Sequence, residues 1–317
     1  MAPKFSVVIP TYNQADYLRV ALRSVLEQTC QDYEVIIVNN YSTDHTLEVI
    51  AKANDPRVQV INFRNNGIIG AGRNVGIKAS QGSYIAFLDS DDTWYPTKLE
   101  RVAEALSADP QAGLVCHEQD IFRDGTLAKC SRYGPPEHYR ESMHNYLVFV
   151  GNCISTSATV VAKRYLDQVG YFSEDQRLIT VEDFDLWVRL SRVCRFKFIR
   201  QVLGRQHYHS SSSSANAELH LRGGLAILEN HRQELEQGGK PYPKGALRLR
   251  CAKSYFTAAR QYQRRGTFGK SLAYYGRTVR TYPFYATTYA GLALLFVDLL
   301  VGQTIRKRIT DAIAPGI

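Results

Sequence analysis

The strongest constraint on this chain is an alternation of two hydrophobic periods over its first hundred residues. Short apolar runs rich in β-branched residues are typical of buried strands, and apolar residues at helical spacing separate them, as from Leu18 to Leu26. The strand-like runs are Phe5–Ile9, Glu34–Val38, Arg57–Asn62 and Tyr84–Leu88. Because strands and helices alternate, the sequence predicts an α/β fold with a mostly parallel, doubly wound open sheet.

The rest of the chain is less regular and then changes character. Strand-like runs occur at Leu114–His117, Thr156–Val161 and Phe196–Ile199, and a helical pattern covers Glu182–Val193. The polar tract Ser210–Ser214 is typical of a flexible connection. Strand signals then end, and the remaining residues form helical patterns rich in Arg, Tyr and Ala. We therefore predict an α/β domain over residues 1–217 and an α-helical region over residues 218–317.

Charge is distributed unevenly between these two regions. Residues 218–317 contain 16 Lys and Arg against 6 Asp and Glu, whereas residues 1–217 contain 23 against 24. A basic region of this kind is expected to face phosphate groups, either of nucleic acid or of an anionic membrane. Since no RNA-binding or helix-turn-helix motif accompanies it, we expect no nucleic-acid partner. A non-catalytic protein that binds nucleotide or nucleic acid through this basic region is the alternative that remains open.

The most apolar stretch of the chain is Ala286–Ile305, and the basic run Arg306-Lys-Arg308 follows it directly. A helix that spans a membrane needs about 20 continuous apolar residues, and Asp298 near the middle would cost a few kcal/mol in hydrocarbon. The stretch therefore favours an interfacial helix that contacts an anionic membrane peripherally. The alternative is a helical cap whose apolar side chains face protein; these are Leu292, Leu295, Phe296 and Leu299.

The cysteines and the amino terminus bear on localisation. The six cysteines are scattered without a Cys/His cluster at zinc spacing, which is typical of reduced thiols. Met1 to Lys4 run directly into the first strand-like segment and leave no room for a signal peptide. We expect a cytoplasmic protein that lies at the inner face of the cell membrane.

The acidic motif Asp89-Ser-Asp-Asp92 is the element most informative about chemistry. It follows the fourth strand-like run, and the carboxyl ends of strands are where open α/β sheets bind ligands. Its carboxylates repel one another, so a hard divalent cation bridging to phosphate oxygens would supply the missing charge. An acidic turn without a ligand is the alternative, because Asp is common in turns.

Together with four other blocks in the same order, this motif resembles the inverting family 2 glycosyltransferases of GT-A fold over roughly residues 4–215. The blocks are Val8-Ile-Pro-Thr-Tyr-Asn13, Asn40-Tyr-Ser-Thr-Asp44, Gly72-Arg-Asn-Val-Gly76, Leu88-Asp-Ser-Asp-Asp92 and Glu182-Asp-Phe-Asp-Leu-Trp187. The resemblance implies that residues 1–217 are a GT-A catalytic domain with a Rossmann-like open sheet. It also implies transfer of a sugar from a nucleotide sugar to a hydroxyl of a saccharide or lipid-linked saccharide, in cell-surface polysaccharide or glycan assembly.

By the same resemblance, particular residues would hold the donor. Base and ribose would contact the first turn, where Asn13 has a plain helix cap as its alternative. Arg73 would meet the diphosphate or base, with surface solvation as the alternative, and Asp89 with Ser90 would hold the ribose. Asn39 and Asn40 stand where the family usually has an acidic residue. The first turn comprises Pro10, Thr11, Tyr12 and Asn13. An amide can still accept a hydrogen bond from uracil N3–H, so UDP-sugars are favoured.

The resemblance also implies a metal site and a catalytic base. Asp91 and Asp92 would hold Mg²⁺ or Mn²⁺ on the diphosphate, and His207 in Gly204-Arg-Gln-His207 would approach the metal or the diphosphate, with His209 a weaker candidate. A core or surface histidine without a ligand is the alternative for His207. Asp183 would take the proton of the acceptor hydroxyl, with Glu182 as its neighbour or as a ligand of the acceptor. An acidic pair in a first helical turn also complements the helix dipole without any catalytic role.

Two further alternatives concern single motifs. Gly70-Ala-Gly72-Arg-Asn-Val-Gly76 superficially fits a dinucleotide-binding fingerprint. Its spacing is GxGxxxG, and it precedes the fourth strand instead of following the first, which disfavours an oxidoreductase. Trp187 is predicted either to pack below the acceptor or to fill the core.

Overall fold

The structure is a computed structural model that describes residues 3–123, 125–139, 141–208, 217–237 and 243–301. Its strands are β1 (Phe5–Thr11), β2 (Tyr33–Asn39), β3 (Val58–Asn62), β4 (Tyr84–Phe87), β5 (Thr93–Trp94), β6 (Ala112–Arg123), β7 (Thr126–Ser131), β8 (Thr159–Ala162) and β9 (Arg195–Tyr208). Its helices are α1 (Ala15–Leu26), α2 (Thr46–Ala53), α3 (Ile69–Ala79), α4 (Lys98–Ala108), α5 (Met143–Asn145), α6 (Lys163–Val169), α7 (Glu182–Leu190), α8 (Ala217–Gln237), α9 (Lys244–Arg264), α10 (Phe268–Thr281) and α11 (Thr287–Val301). Two 3-10 turns, Thr156–Ala158 and Gln176–Leu178, and a π-helical turn, Tyr146–Val150, complete the described elements.

These strands form one open sheet in the order β3-β2-β1-β4-β8-β6-β9-β5, with β7 paired to β6. Strands β3, β2, β1 and β4 are parallel, which confirms the predicted α/β sheet for this half. Beyond β4 the pairing is mixed, because β8 runs antiparallel to β4 and β6, and β9 runs parallel to β6. The carboxyl ends of β1, β2 and β4 therefore meet at one edge of the sheet, together with the amino end of β8.

The main core lies between the sheet and helices α1 and α4. Leu18, Leu22 and Val25 of α1 are buried against it because they recur at helical spacing. Burial of each such side chain stabilises the folded state by about 1.5–3 kcal/mol. Helix α3 lies against β1 so closely that a Cβ atom on Gly76 would be 2.5 Å from Cγ1 of Val8. Only glycine allows this approach, which carries the helix to the sheet edge.

The described residues divide into two compact units. One comprises residues up to 147 and from 152 to 208, and the other comprises Val148–Gly151 and helices α8 to α11. The helices predicted for the carboxyl-terminal region are therefore present. The predicted connection Ser210–Ser214, His209 and the basic run Arg306-Lys-Arg308 lie outside the described residues.

The helical unit has a tyrosine-rich core and an unusual last helix. The rings of Tyr262 and Tyr274 stack with centroids 5.6 Å apart, and both hydroxyls donate to Glu218. Helix α11 turns its polar side inward, where the Asp298 carboxylate accepts a 2.6 Å hydrogen bond from Nε2 of Gln263. Among the described residues, no helix is both long and apolar enough to cross a membrane.

The outward side of α11 is apolar. Of the side chains that the sequence analysis named on this helix, Leu295 is buried in the helical unit and Leu292 is partly buried against it. Phe296 is 63% exposed and Leu299 is 56% exposed, and Leu300 reaches 69%. The helix therefore packs through a mixed face and leaves a large apolar face uncovered.

Candidate active site

The acidic motif forms a tight loop after β4 at the common sheet edge. The backbone N–H of Asp92 donates to the carbonyl of Asp89 over 3.0 Å, so the loop is also a turn. Asp92 is buried, and burial together with the charges of Asp91 and Asp89 holds its pKa well above the ordinary value. This local excess of negative charge favours a bound cation.

His207 on β9 reaches the same loop. Its backbone N–H donates to Oδ1 of Asp92 over 2.9 Å, and its ring Nδ1 lies 2.8 Å from the carbonyl oxygen of Asp91. Because a carbonyl can only accept, Nδ1 carries the proton and a neutral ring keeps its lone pair on Nε2. The structure thus places His207 next to Asp91 and Asp92, but the side chains of these three residues do not converge as metal ligands. Within the described ranges, no group of three or more His, Cys, Asp or Glu side chains is arranged to ligate a metal ion.

Arg73 on α3 lies in the interior, so the alternative of surface solvation does not describe it. Its Nη1 pairs with Oε1 of Glu182 and its Nη2 with Oδ1 of Asp89, both over 2.6 Å. The guanidinium also lies 5.2 Å from the centroid of the Phe172 ring. Burial alone would lower the pKa of Arg73. The negative charges of Asp89 and Glu182 together have the larger effect, so the pKa of Arg73 lies above its ordinary value. One side chain therefore joins the acidic loop to the start of α7.

Asp183 stands beside this ion pair in the first turn of α7. Its Oδ1 accepts a 2.6 Å hydrogen bond from the N–H of Phe184, and its Oδ2 accepts one of 3.1 Å from the hydroxyl of Thr156. Burial and the charge of Glu182 raise the pKa of Asp183 to about 7, against the lowering effect of Arg73. A carboxylate with this pKa can accept a proton near neutral pH, as a general base requires.

Glu182 and Trp187, on the same helix, are both buried. Oε1 of Glu182 is committed to Arg73, while its buried Oε2 has no hydrogen-bond partner among the described residues. Trp187 is fully buried and packs against the rings of Phe87 and Phe172, with both centroids 6.3 Å away. It fills the core, which settles the choice that the sequence left open.

The predicted donor residues of the first turn lie where β1 ends. Pro10 and Thr11 are buried within the strand, and Tyr12 is exposed. Asn13 adopts a left-handed backbone with φ of 49°. Its N–H donates to Ser42 over 2.9 Å, and its Oδ1 accepts from the N–H of Thr43 over 2.7 Å. Asn13 thus links the loops after β1 and β2 and is not the helix cap considered above.

The amides of Asn39 and Asn40 hold the neighbouring loops. In Asn39, which is buried, Nδ2 donates to Asn62 over 2.7 Å and Oδ1 accepts from the N–H of Ser42 over 3.1 Å. Oδ1 of Asn40 accepts from the N–H of Asn65 over 3.0 Å. Both carbonyl oxygens therefore have partners within the chain, and their role toward a base stays a prediction.

Two contacts at the site involve residues that the sequence analysis did not single out. The hydroxyl of Ser90 donates to the side-chain oxygen of Gln14, which ties the acidic loop to the first turn. The hydroxyl of Ser157 accepts a 3.1 Å hydrogen bond from the N–H of Asp89. Thr156 and Ser157 lay within a strand-like run and carry no charge, so nothing in their pattern indicated a site.

The fold and the site together define a class of protein. Acidic and polar loops converge at the carboxyl edge of a parallel α/β sheet, the place where such folds bind nucleotides. Residues 6–168 match the model of glycosyl transferase family 2, and the chain belongs to this family.

Comparison with known proteins supports the assignment. Chondroitin synthase of Pasteurella multocida is 32% identical over 221 residues, which are 67% of this chain and 21% of the synthase. Across eight curated relatives, the chain spans 21–67% of their length.

Two solved structures share the fold. S. aureus TarS 1–349 in complex with UDP-GlcNAc has a TM-score of 0.62 at 18% identity, over 88% of this chain and 81% of the TarS 1–349 chain. The mannosyltransferase PcManGT from Pyrobaculum calidifontis, in complex with GDP-Man and Mn²⁺, has a TM-score of 0.56 at 17% identity, over 98% of this chain and 84% of its own. These similarities confirm the predicted GT-A fold.

The buried position of Arg73 leads to a prediction about stability. Arg73→Met should lower the free energy of unfolding by about 3–5 kcal/mol, because it leaves the buried carboxylate of Glu182 and the partly buried carboxylate of Asp89 unpaired. Arg101→Met is the matched control, since Arg101 pairs with Glu104 at the surface and exposed pairs contribute about 1 kcal/mol or less. Thermal and urea unfolding of the ligand-free proteins compare the two. Equal, small effects of both substitutions would contradict the structural role of Arg73.

Proposed function

We propose that this glycosyltransferase moves a sugar from a nucleoside-diphosphate sugar, with UDP favoured, to a hydroxyl of a saccharide or lipid-linked saccharide with inversion at the anomeric carbon. The observation that carries the proposal is the position of Asp183, a carboxylate with a pKa of about 7 that Glu182 and Arg73 join to the acidic loop. Likeness to chondroitin synthase and to TarS bound to UDP-GlcNAc supports a role in cell-surface polysaccharide or glycan assembly.

The donor would lie along the sheet edge. Asp89 and Ser90 would hold the ribose, and Arg73 would compensate the negative charge beneath it. Base and ribose would contact the exposed ring of Tyr12 and the polar groups around it. The other contributors are Pro10, Thr11, Asn13, Asn39 and Asn40. Since the oxygens of Asn39 and Asn40 are engaged with neighbouring loops and Nδ2 of Asn39 donates to Asn62, we propose that the two side chains shape the base pocket by holding these loops.

The transfer step follows from the position of Asp183. Asp183 accepts the proton of the acceptor hydroxyl while that oxygen forms a bond to the anomeric carbon. The bond from this carbon to the phosphate oxygen breaks at the same time, and the nucleoside diphosphate leaves with the electron pair. Attack opposite the leaving group inverts the configuration. Oε2 of Glu182, which lacks a partner among the described residues, would accept a hydrogen bond from the acceptor.

The acidic loop carries negative charge that a divalent cation would offset. Burial, together with the negative charges of Asp91 and Asp89, keeps the pKa of Asp92 high. Because Nδ1 of His207 faces the carbonyl of Asp91, Nε2 is the ring nitrogen left for a ligand. We propose that Asp91, Asp92 and His207 hold Mg²⁺ or Mn²⁺. When bound, the cation would stabilise the charge that develops on the leaving diphosphate. PcManGT in complex with GDP-Man and Mn²⁺ supports this proposal.

The base assignment makes a prediction about turnover and pH. Asp183→Asn should keep donor affinity and lower kcat by about 10² or more, the usual scale of general-base catalysis. In the unsubstituted enzyme kcat should fall as the pH drops below about 7, because Asp183 then holds a proton. UDP release in the presence of a saccharide acceptor measures both effects. Near-normal turnover of Asp183→Asn would remove the assignment.

The metal assignment makes a prediction that does not depend on activity. Asp91→Ala should weaken Mn²⁺ binding in the presence of UDP by at least about tenfold, because a charged ligand is lost. Electron paramagnetic resonance of free Mn²⁺ measures this binding. Asp167→Ala, which removes an exposed carboxylate of α6, is the control. Equal Mn²⁺ affinity in the two variants would refute the site.

We also propose that α11 docks the protein on an anionic membrane at the inner face of the cell membrane. The apolar face of this helix includes Phe296, Leu299 and Leu300 and is free of charge, because Asp298 points inward to Gln263. The exposed rings of Phe284 and Tyr289 lie near the start of the helix. In sequence, Arg306-Lys-Arg308 follows, and each basic residue near an anionic surface contributes about 1 kcal/mol.

Flotation with liposomes tests this docking. The full chain should float with phosphatidylglycerol-containing vesicles at low salt, and Phe296→Gln with Leu300→Gln should abolish flotation. Leu272→Gln is the control, since Leu272 is an exposed leucine on α10. If the chain stays unbound, or if all three proteins float alike, α11 is not the docking helix. Self-association lost only in the double variant would show instead that the face joins two copies.

A further inference from the structure

The 3-10 turn Thr156–Ala158 lies between the two halves of the proposed site because of the sheet topology. It leads into β8, which runs antiparallel to β4 with Val160 opposite Ala86. Residues that precede β8 therefore lie beside residues that follow β4. This places the turn next to the acidic loop, at the edge where α7 begins.

Consecutive residues of the turn contact different parts of the site. The hydroxyl of Thr156 donates to Oδ2 of Asp183 over 3.1 Å. The hydroxyl of Ser157 accepts from the N–H of Asp89 over 3.1 Å, and its proximity to Asp92 opposes the rise in the pKa of that carboxyl that burial causes. Thr156 is 7% exposed and Ser157 is 1% exposed, so neither hydroxyl is free to rotate into solvent.

The far side of the turn is anchored in the core. The carbonyl of Ser157 accepts a 2.7 Å hydrogen bond from Nε1 of Trp94. The ring of Trp94 is itself covered by Nζ of Lys98, which lies 3.3 Å from the ring centroid. Both of these side chains are buried. The turn is therefore held from behind while its hydroxyls face the site.

The groups around Asp183 show what the hydroxyl of Thr156 adds. Glu182 on the same helix repels the Asp183 charge, Arg73 from α3 attracts it, and Tyr208 on β9 lies within electrostatic reach. The N–H of Phe184 holds one carboxylate oxygen and Thr156 holds the other. A hydrogen bond donated to a carboxylate favours its charged form.

We propose that Thr156 is a positioning residue that orients Asp183 and favours its ionised form, while Ser157 fixes the acidic loop. The inference rests on the proposed role of Asp183 as the base. It assigns the turn a double task in which a change at Thr156 affects proton transfer, and a change at Ser157 affects donor binding.

The first test needs no substrate. The carboxyl ¹³C resonance of Asp183 in selectively labelled, ligand-free protein is assigned by its loss in Asp183→Asn. Its titration midpoint should move to higher pH by about one unit or more in Thr156→Val, since the hydrogen bond that favours the charged carboxylate is lost. Thr156→Ser keeps the hydroxyl and should titrate like the unsubstituted protein. An unchanged midpoint in Thr156→Val would overturn the proposal. If Thr156→Val does not fold, Thr156→Ala takes its place.

The second test separates the two residues by kinetics. With the UDP-sugar and saccharide acceptor that give the fastest UDP release, Thr156→Val should lower kcat about tenfold at pH 6.5 and little at pH 9, with KM for the UDP-sugar unchanged. Ser157→Ala should raise that KM and leave the pH profile in place. A loss in Thr156→Val that is equal at all pH values would contradict the proposal. Full turnover of Asp183→Asn would instead reject the base assignment itself.

Discussion

The organisation of the site depends on one buried guanidinium. Arg73 reaches the sheet edge because Gly76 lets α3 approach β1, and there it pairs with Asp89 and Glu182 from two distant parts of the chain. Burying these charges singly would be costly, but together they compensate one another. The same pairing limits the rise in the pKa of Asp183 that burial and Glu182 cause. A structural ion pair thus also sets the protonation of the proposed base.

The sheet topology supplies the second constraint. A purely parallel sheet would place only strand carboxyl ends at the site edge. Because β8 is inserted antiparallel to β4, its amino end lies there too and brings hydroxyls between the acidic loop and α7. Strand β9 adds His207 from the other side of β6. The mixed half of the sheet therefore adds hydroxyl groups and His207 to the acidic loop that the parallel half provides.

Much of this could be predicted from the sequence. The parallel half follows from strand-like runs that begin and end within a few residues of β1 to β4, and the motif blocks indicated the family. The inward pairing of Arg73 could not be predicted, because it joins residues 16 and 109 positions apart. The positions of Thr156 and Ser157 at the site could not be predicted either, because both residues are neutral and only the pairing of β4 with β8 brings them there. The outward apolar face of α11 also depends on tertiary packing.

We propose that this edge of the sheet binds a nucleotide sugar together with a cation. Thermal unfolding with UDP-, GDP- and dTDP-sugars, each with and without Mn²⁺, tests this proposal. A ligand whose concentration is 100 times its Kd raises the free energy of unfolding by about 2.7 kcal/mol. We expect a raised Tm with a UDP-sugar and Mn²⁺ together, and a smaller rise with either alone. An unchanged Tm with every sugar nucleotide, in the presence of Mn²⁺ as in its absence, would contradict it.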